Sequence, residues 1–246
     1  MNLKRTLICL MVGLFILSCG TLAFAKTYVV GTSADFPPFE YVEDGNYVGF
    51  DLDLIRAIGE EQGFDVEIKD MSFDSLIAGL KTGNVDIVIA GMTITDKREK
   101  VVDFTNPYYT ADQSVIVKED SDLNLTVLYG DNKVGVQTST TGDLWVSDNL
   151  AKKDILTGKV VRYDTFVLAV TDLINENLDA IVLDSPVADR FIDLRPVKKV
   201  GIIVTGEEYG IAVNEGNEEL LNLLNEGIEK VKESGKMGEL IDTYFK

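Results

Sequence analysis

Short apolar runs alternate with segments of helical period along this 246-residue chain, and this alternation constrains the fold more than any other feature. The pattern is typical of βαβ units arranged around mostly parallel sheets, and it predicts the α/β class. The run Ile87–Ala90 is apolar without alternation, which predicts a central strand covered on both faces. The strands predicted in this way are Tyr28–Thr32, Val66–Lys69, Ile87–Ala90, Ser114–Lys118, Lys133–Gln137, Val160–Tyr163, Ala180–Leu183, Val200–Val204 and Tyr209–Val213.

Three apolar stripes at helical spacing predict helices whose buried faces belong to the core. The stripes are Phe73, Leu76, Ile77 and Leu80; Phe166, Val167, Val170, Leu173 and Ile174; and Leu220, Leu221, Leu224, Ile228 and Val231. Gly83 stands shortly after the first stripe, where a glycine is typical of a helix C-cap. Asp51 is predicted to cap a fourth helix, which carries Leu54, Ile55 and Ile58.

One pattern occurs twice: a helix, an Asn, an apolar residue, an Asp and then an apolar strand. Residues Asn84–Gly91 align in this way with residues Asn177–Asp184. The repeat predicts two related lobes, and the alternative is chance, because any two βα units share apolar strands. Ligands of open α/β sheets bind beyond the carboxyl ends of strands. Gly91 and Asp184 are therefore predicted to be equivalent positions on two facing lobes.

The first 25 residues match a secretory signal peptide, with basic residues before an apolar run and small residues at the end. The apolar run Leu7–Leu17 is shorter than the roughly 20 residues that a transmembrane helix needs. We therefore expect cleavage after Ala25 and a periplasmic or otherwise extracytoplasmic protein. The alternative is a lipoprotein, because Ile16–Cys19 resembles a lipobox in which Cys19 would become the lipidated N-terminus.

The composition excludes several classes of function. Both cysteines, Cys9 and Cys19, lie in the leader, and the sequence contains no histidine. Histidine-based triads, cysteine nucleophiles and thiolate zinc sites are thus absent after residue 25, and we expect neither a metal nor another cofactor. Loss of the leader would take the formal net charge from −18 to −20, so the protein should repel nucleic acid. The acidity favours solubility, with weak steering of cationic ligands as the alternative.

Two loops that follow predicted strands carry donors for a carboxylate. Gly91–Arg98 offers hydroxyl, backbone N–H and guanidinium groups, and Gln137–Gly142 offers hydroxyl and N–H groups. A free amino acid presents a carboxylate and an ammonium, so its binder needs charge-assisted donors for one and an acidic acceptor for the other. By position alone, Arg98 is either such a donor or a solvated charge. Asp184 is either the acceptor or a helix cap before Pro186.

The sequence resembles the family 3 extracellular solute-binding proteins, the polar amino acid receptors of ABC importers, along almost all of the chain after the leader. The segments that carry the resemblance are Gly31–Glu40, Gly49–Leu54, Ala90–Arg98, Val136–Asp143 and Glu208–Val213. It implies a type II periplasmic-binding-protein fold, in which two α/β lobes are joined by two crossing strands near Tyr108–Asp112 and Thr205–Tyr209. Lobe 1 would comprise residues 26–109 and 209–246, and lobe 2 residues 110–208.

The resemblance also implies roles for individual residues. The ligand carboxylate would be bound by Arg98, Thr93, Thr140 and Thr141. The ammonium would be bound by Asp184 and the Gly91 carbonyl. The ligand side chain would be flanked by Phe36 and Phe50; the alternative for these two aromatic residues is a place in the core. Specificity would depend on Ser33 and Gln137. The complete candidate set is Ser33, Phe36, Phe50, Gly91, Met92, Thr93, Arg98, Gln137, Thr140, Thr141 and Asp184.

Two positions depart from the family pattern. Members that read basic or amide side chains often have an acid where Ser33 stands, and Ser139 replaces a glycine that is usual in the second loop. Serine tolerates fewer backbone angles than glycine. The stretch Ser33–Glu40 looks most like arginine or general polar amino acid receptors, which favours arginine as the ligand and glutamine second. The expected partner is a membrane permease, and the expected receptor is a monomer that closes about a hinge.

Two alternative functions share this fold. A periplasmic dehydratase acting on cyclohexadienyl acids would need a general acid in the cleft, such as Glu40 or Asp35, with a raised pKa. A sensor ectodomain would need an attached membrane segment, and the sequence after the leader predicts none.

Overall fold

The computed structural model describes residues 25–245, so the expected leader, with Cys9 and Cys19, lies outside the described residues except for Ala25. Within this range the chain forms thirteen β-strands and seven α-helices. The strands are β1 (Lys26–Thr32), β2 (Asp35–Phe36), β3 (Glu40–Glu43), β4 (Asn46–Val48), β5 (Phe64–Asp70), β6 (Ile87–Val88), β7 (Val102–Phe104), β8 (Tyr109–Lys118), β9 (Lys133–Gln137), β10 (Lys159–Tyr163), β11 (Ala180–Asp184), β12 (Val197–Tyr209) and β13 (Ala212–Asn214). The helices are α1 (Phe50–Gln62), α2 (Leu76–Thr82), α3 (Thr141–Asn149), α4 (Phe166–Ile174), α5 (Ser185–Leu194), α6 (Glu218–Glu233) and α7 (Lys236–Tyr244).

Two five-stranded sheets form the framework, which confirms the α/β class. The first has the order β5-β1-β6-β13-β7, with β1 parallel to β5 and β6 and with β13 antiparallel to both of its neighbours. The second has the order β10-β9-β11-β8-β12, with β9 parallel to β10 and β11. The two strands of the internal repeat, β6 and β11, both occupy the third position. The central position predicted for Ile87–Ala90 is therefore confirmed, although the strand itself covers only Ile87–Val88.

The chain passes from the first sheet to the second along β8 and returns along β12 to β13. These two strands form an antiparallel ribbon, which we call the crossing ribbon. Its pairing extends from Val197 opposite Lys118 to Tyr209 opposite Tyr109. The end of the ribbon where Val197 pairs with Lys118 belongs to the second sheet. The other end, at Tyr209, lies next to the first sheet.

The crossing ribbon is irregular between Ile203 and Glu207, where the register shifts. Asp112 Oδ1 accepts hydrogen bonds from the backbone N–H groups of Thr205 and Gly206, each at 2.9 Å. Gly206 has a φ of 60°, which favours glycine. A carboxylate thus replaces the missing ladder bonds at this bulge.

Some short strands differ from the expectations. The sequence pattern does not predict β7 or the small antiparallel sheet β2-β3-β4, because strands of two to four residues show too little periodicity. Phe36 belongs to β2. The single strand predicted at Tyr209–Val213 is wrong: β12 ends at Tyr209, and β13 begins at Ala212.

The prediction that Asp51 caps helix α1 is wrong. The helix begins at Phe50 with Gly49 as its N-cap, and no side chain caps it. Gly49 has a φ of 130°, and a Cβ at this position would collide with the Phe39 carbonyl, so only glycine fits. Asp51 lies in the first turn, fully buried, and its Oδ2 accepts hydrogen bonds from Gly91 N and Tyr108 Oη, both at 2.7 Å. The carboxylate therefore anchors the loop after β6 instead of capping a helix.

The C-terminal end of α2 agrees with its prediction, because Gly83 is the C-cap with a φ of 70°. The three predicted apolar stripes lie in or beside α2, α4 and α6, and most of their residues are buried. An aromatic cluster lies where the two sheets meet. Phe39 is its fully buried centre, with ring centroids at 5.0 Å from Tyr109, 5.3 Å from Tyr209 and 5.2 Å from Phe245.

Candidate ligand-binding site

A small, nearly closed cavity of about 10 Å³ lies between the two sheets. This volume holds about one water molecule, so the lining residues, and not the size of the cavity, indicate a ligand site. Nine of the eleven candidate residues line it, namely Ser33, Phe36, Gly91, Thr93, Arg98, Gln137, Thr140, Thr141 and Asp184. The other lining residues are Asp35, Glu40, Phe73 and Ala90. The loop after β6 and the strand end at Asp184 therefore meet at one cavity, as the repeat predicts.

Arg98 is buried, with 8% of its surface exposed, so it is not the solvated charge that its sequence position also allows. Its Nη1 donates to the Thr93 carbonyl oxygen at 2.6 Å, and its Nη2 donates to the Ser139 carbonyl oxygen at 3.3 Å. The guanidinium lies over the Phe73 ring, 5.3 Å from the centroid. Burial lowers the pKa of Arg98 to about 10, so the group is cationic at neutral pH.

Asp184 ends β11 and occupies the N-cap position of α5, but its side chain makes no capping hydrogen bond. Its Oδ1 accepts a hydrogen bond from Tyr209 Oη at 2.6 Å. Burial, followed by the charge of Glu207, raises the pKa of Asp184 to about 7. The carboxylate faces the cavity that Arg98 also lines, so a cation and an acid are available to one ligand.

Glu207 is a site residue that the sequence does not reveal. Its Oε2 accepts hydrogen bonds from Thr93 Oγ1 at 2.8 Å and from Thr141 Oγ1 at 2.5 Å, and its Oε1 accepts one from Gln113 Nε2 at 3.2 Å. Two hydroxyl groups that the family resemblance assigns to the ligand carboxylate are thus bonded to a carboxylate of the protein. Thr93 follows β6, whereas Thr141 begins α3, so Glu207 ties the two halves of the cavity together.

Thr140 is the N-cap of α3. Its Oγ1 accepts a hydrogen bond from Asp143 N at 3.1 Å and donates one to the Gln137 carbonyl oxygen at 2.8 Å. Its hydroxyl is therefore engaged within the protein, although the residue lines the cavity. The neighbouring residue, Ser139, has a φ of 65°, which agrees with the expectation that this position suits glycine. The N–H groups of Thr141 and Gly142, the first two residues of α3, have no acceptor within the helix and are suited to an anion.

Two candidate residues lie elsewhere. Phe50 is fully buried and packs on Phe245, with ring centroids 5.2 Å apart, so the structure does not place it beside the cavity. It is the first residue of α1 and points into the aromatic cluster. Met92 is buried in a separate apolar cluster of the first sheet. Phe73, which helical spacing assigns only to the core, supplies a cavity wall instead, because it lies in a 3-10 turn before α2.

Gly91 has a φ of 50°, and a Cβ here would lie 2.6 Å from Cε1 of Phe36. Only glycine therefore allows the Phe36 ring to close over the loop. Phe36 in turn packs on Phe39 and on Phe166 of α4, at centroid distances of 5.7 and 5.9 Å. The ring thus forms a wall that both sheets support.

Buried acids surround the cavity. Both oxygens of Glu40 are buried and have no hydrogen-bond partner among the described residues. Burial, followed by the charge of Asp51, raises the pKa of Glu40 well above its usual range. Burial also raises the pKa of Asp51 to about 6. Among the described residues that line the cavity, Arg98 is the sole cationic one, whereas Asp35, Glu40 and Asp184 are acidic. The cavity is therefore predominantly acidic.

Among residues 25–245, no cluster of acidic, His or Cys side chains is arranged to hold a metal ion. No helix of the described range has both the length and the apolar character that crossing a membrane requires.

Residues 28–246 match the family described as bacterial extracellular solute-binding proteins, family 3. The chain belongs to this family. This family 3 solute-binding protein shares 38% identity over 226 residues with a "Probable histidine-binding protein" of Neisseria gonorrhoeae, covering 89% of this chain and 83% of the relative. It shares 36% identity over 244 residues with an "L-arginine-binding protein" of Pseudomonas aeruginosa, covering 94% and 93%.

A solved structure described as "An ancestral arginine-binding protein bound to arginine" is similar over 89% of this family 3 solute-binding protein and 98% of that chain. The TM-score is 0.85 at 40% sequence identity. The similarity confirms the type II periplasmic-binding-protein fold. Both relatives and this structure are named as binding proteins, which agrees with the expectation that the chain is not an enzyme.

Proposed function

We propose that the protein is the extracytoplasmic receptor of an ABC importer, and that it captures a free polar L-amino acid in the cavity between the two sheets. Arginine is the favoured ligand, and glutamine is second. The observation that carries the proposal is that Arg98 and Asp184 line the same cavity. A guanidinium suits the ligand carboxylate, and a carboxylate suits its ammonium.

The geometry of the two loops supports the following roles for the residues of the cavity. Arg98 and the N-terminus of α3 would bind the ligand carboxylate, with Thr93 and Thr141 held in place by Glu207. Asp184 would accept from the ammonium. Phe36 and Phe73, which both line the cavity, would enclose the ligand side chain in place of the expected pair Phe36 and Phe50.

The proposed domains are lobe 1, residues 26–109 and 209–246, and lobe 2, residues 110–208. The two five-stranded sheets support this division, because the chain moves between them along the crossing ribbon. Ligand would bridge the lobes and favour the closed form by binding it more tightly than the open form. Moving the equilibrium from mostly open to mostly closed needs a difference of about 5 kcal/mol.

The family is described as extracellular, which supports an exported location for this protein as well. Residues 1–25 would be a signal peptide cleaved after Ala25, and lipidation at Cys19 is the alternative. The receptor would act as a monomer and deliver its ligand to a membrane permease. The names of the relatives support an amino acid ligand, since they are an arginine-binding and a histidine-binding protein.

The dehydratase alternative has one observation in its favour. Asp35 and Glu40 both line the cavity, and burial raises the pKa of both carboxyls, as a general acid requires. The paired Arg98 and Asp184 and the named relatives favour binding instead. Incubation with prephenate or arogenate would produce an aromatic acid if the protein were such an enzyme, and we expect none.

The test of the main proposal is calorimetric titration of the exported protein, freed of bound ligand by unfolding and refolding, with each common amino acid. We expect one or a few polar amino acids to bind. Arg98→Ala should weaken that binding by ~100-fold or more, because charge-assisted contacts with the carboxylate are lost. Lys97→Ala is the matched control, since it removes a neighbouring charge that is exposed. Binding to Arg98→Ala within a few-fold of wild type would refute the proposal.

A further inference from the structure

The carboxyl groups of Glu40 and Asp51 form a buried pair beside the cavity. Both residues are fully buried. The start of α1 lies directly on the start of β3: Asp51 N donates to the Phe39 carbonyl oxygen at 2.9 Å, and a Cβ at Gly49 would lie 2.9 Å from the Cα of Glu40. This close approach of the two backbones brings the carboxyl group of Asp51 within hydrogen-bonding reach of that of Glu40.

The pair has no cationic partner. Neither carboxyl group belongs to an ion pair in the described part of the chain. The charges that act on Glu40 are those of Asp51, Asp35 and Asp184, which are all acidic. Arg98 lines the same cavity, but Glu40 is not among the groups whose charges act on it. Two adjacent carboxyl groups that are buried without a counter-charge cannot both be ionised, so the pair holds a proton.

The hydrogen bonds of the two groups indicate which one holds the proton. Asp51 Oδ2 accepts from Gly91 N and Tyr108 Oη, both at 2.7 Å, and such donors favour the ionised form. Asp51 Oδ1 and both oxygens of Glu40 receive no hydrogen bond from any other described residue. Burial raises the pKa of both groups, and the hydrogen bond between them then raises the pKa of Glu40 further and lowers that of Asp51. A protonated Glu40 that donates to Asp51 Oδ1 accounts for all of these observations.

We propose that Glu40 carries the proton of this pair at neutral pH and is a positioning residue for the loop after β6: it donates to Asp51, and the ionised Asp51 holds the backbone N–H of Gly91. Its role in ligand binding rests on the proposed function. The family resemblance assigns the Gly91 carbonyl to the ligand ammonium, so the position of this loop affects every amino acid ligand alike. Glu40 then adds no negative charge to the cavity that it lines.

The first test detects the proton without any ligand. Infrared spectra of the protein at neutral pH, with the glutamate carboxyl groups labelled with carbon-13, should contain the carbonyl band of a protonated glutamic acid. The label separates this band from those of the aspartic acids. Glu40→Gln should lack the band, whereas Glu43→Gln, in the same strand but exposed, should keep it. Absence of the band from the wild-type protein would overturn the proposal, whatever the ligand is.

The second test compares the stability of Glu40→Gln with that of the wild type by chemical denaturation at several pH values. The unfolded chain releases the Glu40 proton near the ordinary pKa of 4.5, whereas the folded protein keeps it, so rising pH favours unfolding of the wild type. Glu40→Gln has no such proton, and its unfolding equilibrium constant should fall relative to wild type by about tenfold per pH unit between roughly pH 5 and 7. A ratio that does not change with pH would mean that Glu40 is ionised in the folded protein, which contradicts the proposal.

The third test measures the positioning role by calorimetric titration with arginine and glutamine. The amide of Glu40→Gln can donate to Asp51 as a protonated glutamic acid does, so this conservative variant should bind both ligands within about threefold of wild type. Glu40→Leu removes the donor and should weaken both ligands by a similar factor of about tenfold. Unchanged binding in Glu40→Leu, or loss of arginine binding alone in Glu40→Gln, would refute the positioning role. Failure of the wild type to bind any amino acid would overturn the proposed function, but the proton on Glu40 would still be established by the first two tests.

Discussion

Tyr209, the last residue of the crossing ribbon, donates a hydrogen bond to Asp184 at the end of β11, with 2.6 Å between Oη and Oδ1. Tyr209 is fully buried in the aromatic cluster, so it holds the carboxylate at a fixed position in the cavity wall. The bond joins the strand that returns to the first sheet with the central strand of the second. The acid proposed for the ligand ammonium is thus positioned by the connection between the lobes.

Asp184→Asn should weaken binding of the preferred amino acid by ~10- to 100-fold, because the ammonium would lose its charged acceptor. Ligand-free Asp184→Asn should be at least as stable as wild type, since a buried acid with a raised pKa has been removed. Calorimetry and thermal unfolding measure the two effects. Tyr209→Phe, which keeps the carboxylate, should weaken binding much less; a larger loss in Tyr209→Phe would contradict the assignment.

Glu207→Gln should weaken all ligands by a similar factor, about three- to tenfold, without changing their order. The reason is that Glu207 accepts from Thr93 and Thr141 across the cavity, and an amide accepts more weakly than a carboxylate. Titration with arginine, histidine and glutamine would measure the ratios. Glu208→Gln is the control, because Glu208 is adjacent and exposed. A changed ligand order in Glu207→Gln would show that this residue reads the side chain.

The ligand-free protein should lose stability as the pH rises from about 4 to 7. The pKa values of Asp35, Asp51 and Asp184 are raised from the ordinary value of 3.8 to about 6, 6 and 7. In that window the folded state binds protons that the unfolded chain has released, so the free energy of unfolding falls with increasing pH. Chemical denaturation at several pH values measures the trend. Asp184→Asn should flatten the upper part of the curve, and an unchanged slope would show that Asp184 does not cause the trend.

Affinity for a cationic amino acid should change with pH in the opposite direction. Asp35 and Asp184 both line the cavity, and an ionised carboxyl attracts a cation more strongly than a protonated one, so affinity should rise from pH 5 to 8 and level off above the pKa of Asp184, about 7. Each carboxyl that is still protonated costs about tenfold per pH unit below its pKa. Calorimetry in two buffers with different ionisation enthalpies should reveal proton release on binding below pH 7. Affinity independent of pH would show that these acids do not contact the ligand.

Ser139→Gly should stabilise the protein by about 0.5–1 kcal/mol, because the position has a left-handed φ of 65° that costs an L-residue energy. The greater flexibility of glycine in the unfolded chain limits the gain. Thermal unfolding measures this difference. Thr138→Gly, one residue earlier, is the control and should destabilise, since Thr138 Oγ1 donates to the Tyr163 carbonyl oxygen at 3.0 Å.

The parts of the site that sequence can predict are those that follow strands directly. The repeated βα units predict Gly91 and Asp184 at the ends of their strands, and both residues line the cavity. Glu207 has no such signal, because it belongs to a bulge whose register depends on pairing with a strand almost a hundred residues earlier. Helical spacing assigns Phe73 to the core, but the residue lies in a 3-10 turn before the helix and lines the cavity. The family resemblance assigns Phe50 to the ligand, but Phe50 packs in the aromatic cluster.

The interruption between Ile203 and Glu207 leaves a segment of the crossing ribbon without ladder pairing, and such a segment resists bending less than a paired one. A second register shift lies between Lys199 and Gly201, and Asp112 bonds to the backbone only at the first interruption. We expect the proposed closure to bend the crossing ribbon there and to preserve the strand pairing within each sheet, while the core cluster that contains residues of both sheets has to adjust its packing.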